Sequence, residues 1–259
     1  MEMTNRLRAL LKTPEEEWYE GKVTHHDHFD VLDHIDDALN RVPAELAVED
    51  RHWFMTSYFG HFLTMHRPVK FSGGVIHQLL LREVHHNGPS DEMRFMLGTN
   101  EVRFSKVEFY LITGLRFRVV PDTSHYVNVD NDLHHRYFGG KDEISSLELR
   151  DVLRLIEFQQ AYDCVKLCLI YMLNWILMGL DERLKIPVWQ IRLVDDLDAF
   201  DMFPWGAHVY SHSIYSFKHA LDGRRERFQR RQQAKRADKH MQETYNIYGL
   251  SYVLLVRVL

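Results

Sequence analysis

The chain has 259 residues, 45% of them apolar and 27% charged, with 32 Lys and Arg against 37 Asp and Glu and a formal net charge of −5. That composition excludes a disordered tail and a protein that wraps nucleic acid over its whole surface, and it leaves room for one large or two small domains with a substantial core. Its 2 cysteines, Cys164 and Cys168, lie four apart in an apolar run without a CxxC pair. A disulfide scaffold and a cysteine-rich zinc site are thereby excluded, and a reducing compartment, nucleus or cytoplasm, is expected.

Residues 1–47 read as a charged N-terminal extension, helical to about Asn40, with no apolar core of signal-peptide length. From Val48 to Met65 bulky apolar side chains, Phe54, Tyr58 and Phe62, recur at helical spacing. Ser72 is placed to cap a helix carrying Ile76, Leu79 and Leu80, and residues 85–90 read as a turn. Met93, Phe95 and Leu97 alternate with Arg94 and Met96, and Val102 and Phe104 with Glu101 and Arg103, on either side of Gly98-Thr99-Asn100, the pattern of a β-hairpin over residues 93–104. Ser105 and Glu108 form a capping box, Phe104 and Phe109 occupy the positions of a hydrophobic staple, and Gly114 can end the short helix in a left-handed conformation. Every polar residue of this stretch has a structural role, so its grammar is that of a fold.

Val119 to Lys141 reads as an irregular surface excursion. Ser145 and Glu148 make a second capping box, followed by the amphipathic stripe Leu149, Val152, Leu153 and Ile156. Tyr162 to Met178 is apolar nearly all round and ends at Gly179, which predicts a buried central helix. Its most apolar part, Leu167 to Leu180, is too short to span a bilayer and contains Asn174, so no membrane partner is expected. After the Pro204-Trp205-Gly206 turn, Tyr210, Ile214, Phe217 and Leu221 mark one more amphipathic helix. The apolar tail YGLSYVLLVRVL implies a packed end or a natural chain that continues past Leu259. The expectation is a mainly α protein: a single helical domain over 48–259 with a small β-hairpin.

Four groups of polar residues are candidate sites. His25, His26, Asp27, His28 and Asp30 are a nominal metal cluster, although consecutive ligands suit one ion poorly. His208, His212 and His219 share a helix face, and the first pair has the i, i+4 spacing of zinc-binding histidines, without a third ligand beside it. Asp195, Asp196, Asp198 and Asp201 have the density of a Mg²⁺-binding cluster, without a matching second motif. Neither a metal nor another cofactor is therefore expected. The strongest feature is the basic run from Gly223 to His240, in which Arg224, Arg225, Arg227, Arg230, Arg231, Lys235, Arg236 and Lys239 face only Glu226 and Asp238. Such a run can contact the phosphates of DNA or RNA, direct nuclear localisation, or form a solvated connection.

Several spaced elements then agree in order: Gly60-His61-Phe62-Leu63, Leu79 to Val84, Val102 to Ser105 with Glu108-Phe109, Leu111 to Leu115, Val194 to Leu197, Phe203 to Gly206 and Tyr248-Gly249-Leu250. From about Phe54 onward the chain resembles the plant domain-of-unknown-function family nineteen-eighty-five. The resemblance implies a domain of genes derived from Mutator-like transposable elements, often upstream of a cysteine protease that cleaves ubiquitin-like modifiers. It assigns no catalytic residue to the domain itself. The family's usual ending is replaced here by Gly249-Leu250-Ser251. Cys164 does not supply the missing protease centre, since it precedes Val165 in an apolar helix where a thiol stays protonated. The expected role is a non-catalytic interaction domain with a protein partner still to be identified.

Overall fold

The computed structural model describes residues 9–24, 29–64, 71–126, 131–158, 160–181, 183–234 and 242–258. Along the chain these form strand β1 (Gly21–Thr24) and helices α1 (Phe29–Arg41), α2 (Ala44–Thr56), α3 (Gly60–Leu63) and α4 (Gly73–Leu81), then strands β2 (Met93–Leu97) and β3 (Asn100–Phe104). Helices α5 (Lys106–Thr113) and α6 (Asp132–Phe138), strand β4 (Ile144–Ser145), and helices α7 (Ser146–Leu155) and α8 (Asp163–Met172) follow. A π-helical segment, Leu173–Leu177, prolongs α8. Strand β5 (Lys185–Ile186), helices α9 (Val188–Leu193), α10 (Leu197–Met202), α11 (Trp205–Lys218) and α12 (Arg224–Ala234), strand β6 (Glu243–Asn246) and helix α13 (Tyr252–Val258) complete it. The protein is mainly α, as its apolar periodicities predict, and its sheets are two-stranded pairs.

Two compact units divide the chain. One comprises residues 1–25, 69–116 and 206–259, and the other residues 26–68 and 117–205. Residues 1–47, read from sequence as an extension, are shared out: β1 belongs to the first unit and α1 to the second.

In the first unit β2 and β3 form the predicted hairpin, with Met93 opposite Phe104 and Leu97 opposite Asn100. Gly98 turns at φ 62°, where a side chain would be strained. The backbone of residues 82–84 extends the hairpin: Val84 N donates to Arg94 O and Met96 N to Arg82 O, both at 2.9 Å. Helix α5 begins with the predicted capping box, in which the Ser105 amide donates to Glu108 Oε2 at 2.8 Å, and stops at Gly114 with φ 68°. Phe104 and Phe109 are buried and both pack on Tyr210 of α11, ring centroids 6.2 and 5.4 Å away. Gly206 is required at the start of α11, because a Cβ there would lie 2.5 Å from the Arg116 carbonyl oxygen. Ser72 precedes α4 as expected, but its side chain makes no capping hydrogen bond. Strands β1 and β6 pair in parallel, an arrangement their short sequences do not announce.

In the second unit α8 and its π-helical continuation are the buried centre, against which α1, α2 and α7 pack. The continuous helix expected over 162–178 changes its winding at Asn174. The Asn174 amide donates to Ile170 O at 2.9 Å and to Gln190 Oε1 at 2.8 Å, while Met178 N reaches back five residues to Leu173 O at 2.8 Å. Tyr162, at φ 65°, is the N-cap of α8, and its amide donates to the buried Asp50 carboxylate of α2 at 2.9 Å. Burial pushes the Asp50 carboxyl above its ordinary range, against the pull of that amide.

Two expectations are corrected here. The helix expected over 48–65 is broken, since Ser57 is extended and a Cβ on Gly60 would collide with the Met55 carbonyl, so the chain turns sharply between α2 and α3. The excursion 119–141 contains α6, capped by Asn131, whose side chain accepts the His134 amide at 2.7 Å, and closed by Gly139 at φ 61°.

Candidate functional site

Helix α12 carries the described part of the basic run, and helical geometry sorts its charges. Positions 224, 228 and 231 share one side of a helix, and that side faces the protein. Phe228 is buried with Tyr19 and Leu81, its ring 5.3 Å from that of Tyr19. The Arg224 guanidinium lies over the Tyr245 ring at 5.0 Å. Arg231 donates to the buried carboxylate of Glu243 at 2.8 Å, and Arg225 pairs with Glu17 at 2.5 Å. Arg227 and Arg230 are exposed, and the Arg230 Nε donates to the Glu226 carbonyl of its own helix at 3.3 Å. Lys235, Arg236 and Lys239 lie outside the described residues. Three of the eight candidates are thus bound to the protein's own acids and rings, which sequence alone gives no means to see.

The ribbon of β1 and β6 that α12 grips rests on a buried histidine. His77 of α4 is fully buried, with Nδ1 2.8 Å from Tyr245 Oη and Nε2 3.0 Å from the Tyr19 carbonyl oxygen. A carbonyl only accepts, so Nε2 carries the proton and Nδ1 accepts from the tyrosine. Burial holds this histidine below its ordinary pKa, opposed by the Tyr19 carbonyl. Burial also pushes the Tyr19 hydroxyl up to about 12, with the Glu243 charge adding to it. Gly21 is glycine because a Cβ would enter the His77 ring.

A second surface was not singled out by sequence. On α5, Phe109 and Thr113 face inward and are buried. Val107, Tyr110 and Leu111 occupy i, i+3 and i+4 of the outward face and are 55, 51 and 73% exposed. The signal was present in KVEFYLIT, whose apolar residues outnumber what one buried face can hold.

The acidic group is distributed among structural tasks. Asp195 binds Lys166 at 2.6 Å and accepts from Asn131 at 3.1 Å. Asp196 caps α10 by accepting the Ala199 amide at 2.9 Å, Asp201 accepts the Tyr58 amide at 2.8 Å, and Asp198 is exposed in the first turn of α10. His208 is pulled down to about 4 by burial, with the neighbouring His212 adding to the shift. His219 follows the end of α11 and packs at a tilt against Tyr215 with ring centroids 4.2 Å apart. Among the described residues no three His, Cys, Asp or Glu side chains are grouped to hold a metal ion. The nominal cluster at 25–28 lies outside the described residues, as does the side chain of Asp30. Cys164 and Cys168 are buried with sulfurs 3.9 Å apart, and burial pushes the Cys168 thiol well up.

Pro204, Trp205 and Gly206 stand where the chain passes from the second unit to the first. Trp205 is buried, donates from Nε1 to Phe200 O at 2.7 Å, and packs on Phe203 and Phe200 with centroids 4.3 and 4.7 Å away. No helix among the described residues is long and apolar enough to cross a membrane.

No curated protein and no solved structure matches the chain. The profile of one family, described as a domain of unknown function (DUF1985), matches residues 80–216. That span holds the hairpin, both capping boxes, the central helix and the Pro204-Trp205-Gly206 turn. It begins later and ends earlier than the resemblance from Phe54 onward, leaving out Gly60-His61-Phe62-Leu63 and Tyr248-Gly249-Leu250. Covering more than half of the 259 residues, the match places this chain in the DUF1985 family.

Proposed function

We propose that this chain is a non-catalytic interaction domain that binds a protein partner through the outward face of α5. The observation that carries the reading is the exposed stripe Val107, Tyr110 and Leu111, on a helix whose inner face and both ends are fixed by packing, capping box and Gly114. Large apolar side chains grouped on one exposed face mark interaction surfaces more often than solvent-facing structure. The lack of a catalytic role is supported by the burial of Cys164 and Cys168, which keeps both thiols out of reach, and by the upward push that burial gives the Cys168 thiol. The family resemblance adds context to the proposal: a transposon-derived plant domain, acting in the nucleus or cytoplasm beside a separate protease module.

The test compares affinity capture by the wild-type chain and by a Tyr110→Asp/Leu111→Asp variant with an unchanged melting profile. A set of proteins held by the wild type and lost from the variant supports the reading; identical sets refute it. Hydrolysis of a modifier–isopeptide substrate by the purified chain, abolished by Cys164→Ala, would refute the non-catalytic part.

A second reading, contact with nucleic-acid phosphates through α12, is favoured by the exposure of Arg227 and Arg230. Two phosphate contacts give a log–log salt slope of about −2 on duplex DNA. The test is titration of labelled duplex with wild type and Arg227→Gln/Arg230→Gln; equal affinity and equal slope would remove this reading.

A further inference from the structure

Helix α7 has a buried apolar stripe and a mixed stripe beside it. Leu149 and Leu153 point into the core of the second unit and are buried. The neighbouring stripe, Glu148, Asp151, Val152, Leu155 and Ile156, runs at i, i+3, i+4, i+7 and i+8 and forms one wall of a groove of about 420 Å³. The opposite wall is the end of α6 and the residues after it, chiefly Tyr137, Phe138 and Lys141. Leu155 is 79% exposed, so it contributes almost nothing to the core.

The groove is polarised along its length. At the Glu148 end the Lys141 ammonium is engaged by the Glu148 carboxylate at 2.7 Å, and the same carboxylate group holds the Ser145 amide at 2.8 Å. Halfway along, Asp151 is exposed, and its ion pair with Arg150 spans 3.8 Å. The Arg150 guanidinium also lies over the Trp175 ring at 5.9 Å, which divides its attention. Of the charged side chains in the lining, two are carboxylates and one is a cation already neutralised, so the open charge is negative. Past Asp151 the lining is apolar. From Glu148 to Leu155 the helix rises about 10 Å, the span of roughly three extended residues.

We propose that this groove docks a short segment of a partner protein that carries an apolar side chain next to Lys or Arg. The apolar side chain packs on Val152, Leu155 and Ile156, and the cation meets Asp151. This goes beyond the interaction surface on α5 and is independent of it, since the two lie in different units. An acidic or purely polar segment fits poorly: the first meets Asp151 and Glu148, and the second leaves Leu155 in water.

The test uses labelled tetrapeptides, Leu-Lys-Leu-Lys, Leu-Glu-Leu-Glu and Ser-Lys-Ser-Lys, titrated into the full chain. Binding is read by anisotropy and located by methyl NMR. The expected result is weak binding of the first peptide, roughly fivefold or more tighter than the others, with shifts at Val152, Leu155 and Ile156. Asp151→Lys and Leu155→Ser should each weaken it by a similar factor. Both positions are exposed, so an unchanged melting temperature should accompany the loss. Equal binding of the acidic peptide, unchanged affinity in Asp151→Lys, shifts confined elsewhere, or no binding of any peptide would each overturn the proposal. A Tyr110→Asp/Leu111→Asp chain should bind these peptides as the wild type does, which separates this site from the α5 surface.

Discussion

Acidification from about pH 7.5 to about pH 5.5 should weaken the fold measurably through His77. In the native state its Nδ1 accepts from Tyr245 and its Nε2 donates to the Tyr19 carbonyl, a geometry that suits the neutral ring. Its pKa is lowered by burial, so the unfolded chain binds the proton more readily than the folded one. The associated stability is present above the unfolded value of about 6.5 and is lost as pH falls below it toward the depressed folded value. If the folded ring stays neutral across the window, the loss from this one residue is about 1.4 kcal/mol. Other groups also titrate, His208 among them, so the informative quantity is a difference. His77→Gln keeps a donor for the Tyr19 carbonyl and removes the titration. Urea unfolding followed by circular dichroism at both pH values, for wild type and His77→Gln, should show a smaller pH loss in the variant by about that amount. The same pH loss in both proteins would refute the assignment of His77 as a neutral, buried hydrogen-bonding hub.

Within α12, Arg231→Gln should destabilise the chain by about 1–3 kcal/mol, because it leaves the buried Glu243 carboxylate without its ion pair, whereas Arg230→Gln should change stability by under about 0.5 kcal/mol; chemical denaturation of the two variants checks the contrast. Trp205→Phe should cost about 1–3 kcal/mol by leaving the Phe200 carbonyl without the indole donor, read as a lower denaturation midpoint at an unchanged slope. Cys164 and Cys168 should resist a thiol-specific disulfide reagent in the native protein, and both should react in urea. Rapid native labelling of either would contradict their burial. Glu148→Ala should cost about 1 kcal/mol through the loss of its capping-box and Lys141 contacts, by the same denaturation assay.

What could be read from the sequence was local. The hairpin, both capping boxes, the Gly114 and Gly179 stops and the apolar central helix depend on residues within a few positions of one another, and each is where its pattern puts it. Not every local signal was decisive. Ser72 does not cap α4, and the helix through Ser57 breaks because Gly60 must pass close to the Met55 carbonyl. The α6 helix was missed although Asn131 and Gly139 mark its ends, because the segment's many polar residues hid the buried Leu133 and Phe138. The basic run illustrates the deeper limit. Its charges are plain in the sequence, but their partners Glu17, Glu243 and Tyr245 come from other parts of the chain. A count of arginines therefore overstates what the helix offers to solvent. The groove beside α7 was likewise invisible, since Val152 and Ile156 read as core positions and only the packing leaves them at an opening.

The parallel pairing of β1 with β6 sets a timetable for synthesis. Thr24 stands opposite Asn246, 222 residues later. At usual translation rates the partner strand emerges on the order of 10 to 40 s after β1. During that interval Val23, wholly buried in the finished protein, and the open edge of β1 are exposed beside the ribosome. The stretch forming the second unit is complete before β6 appears, so its helices can consolidate early, while the first unit must await a late segment. The chain should therefore depend on holding chaperones more than its predominantly helical content implies, with the nascent β1 region as their point of contact.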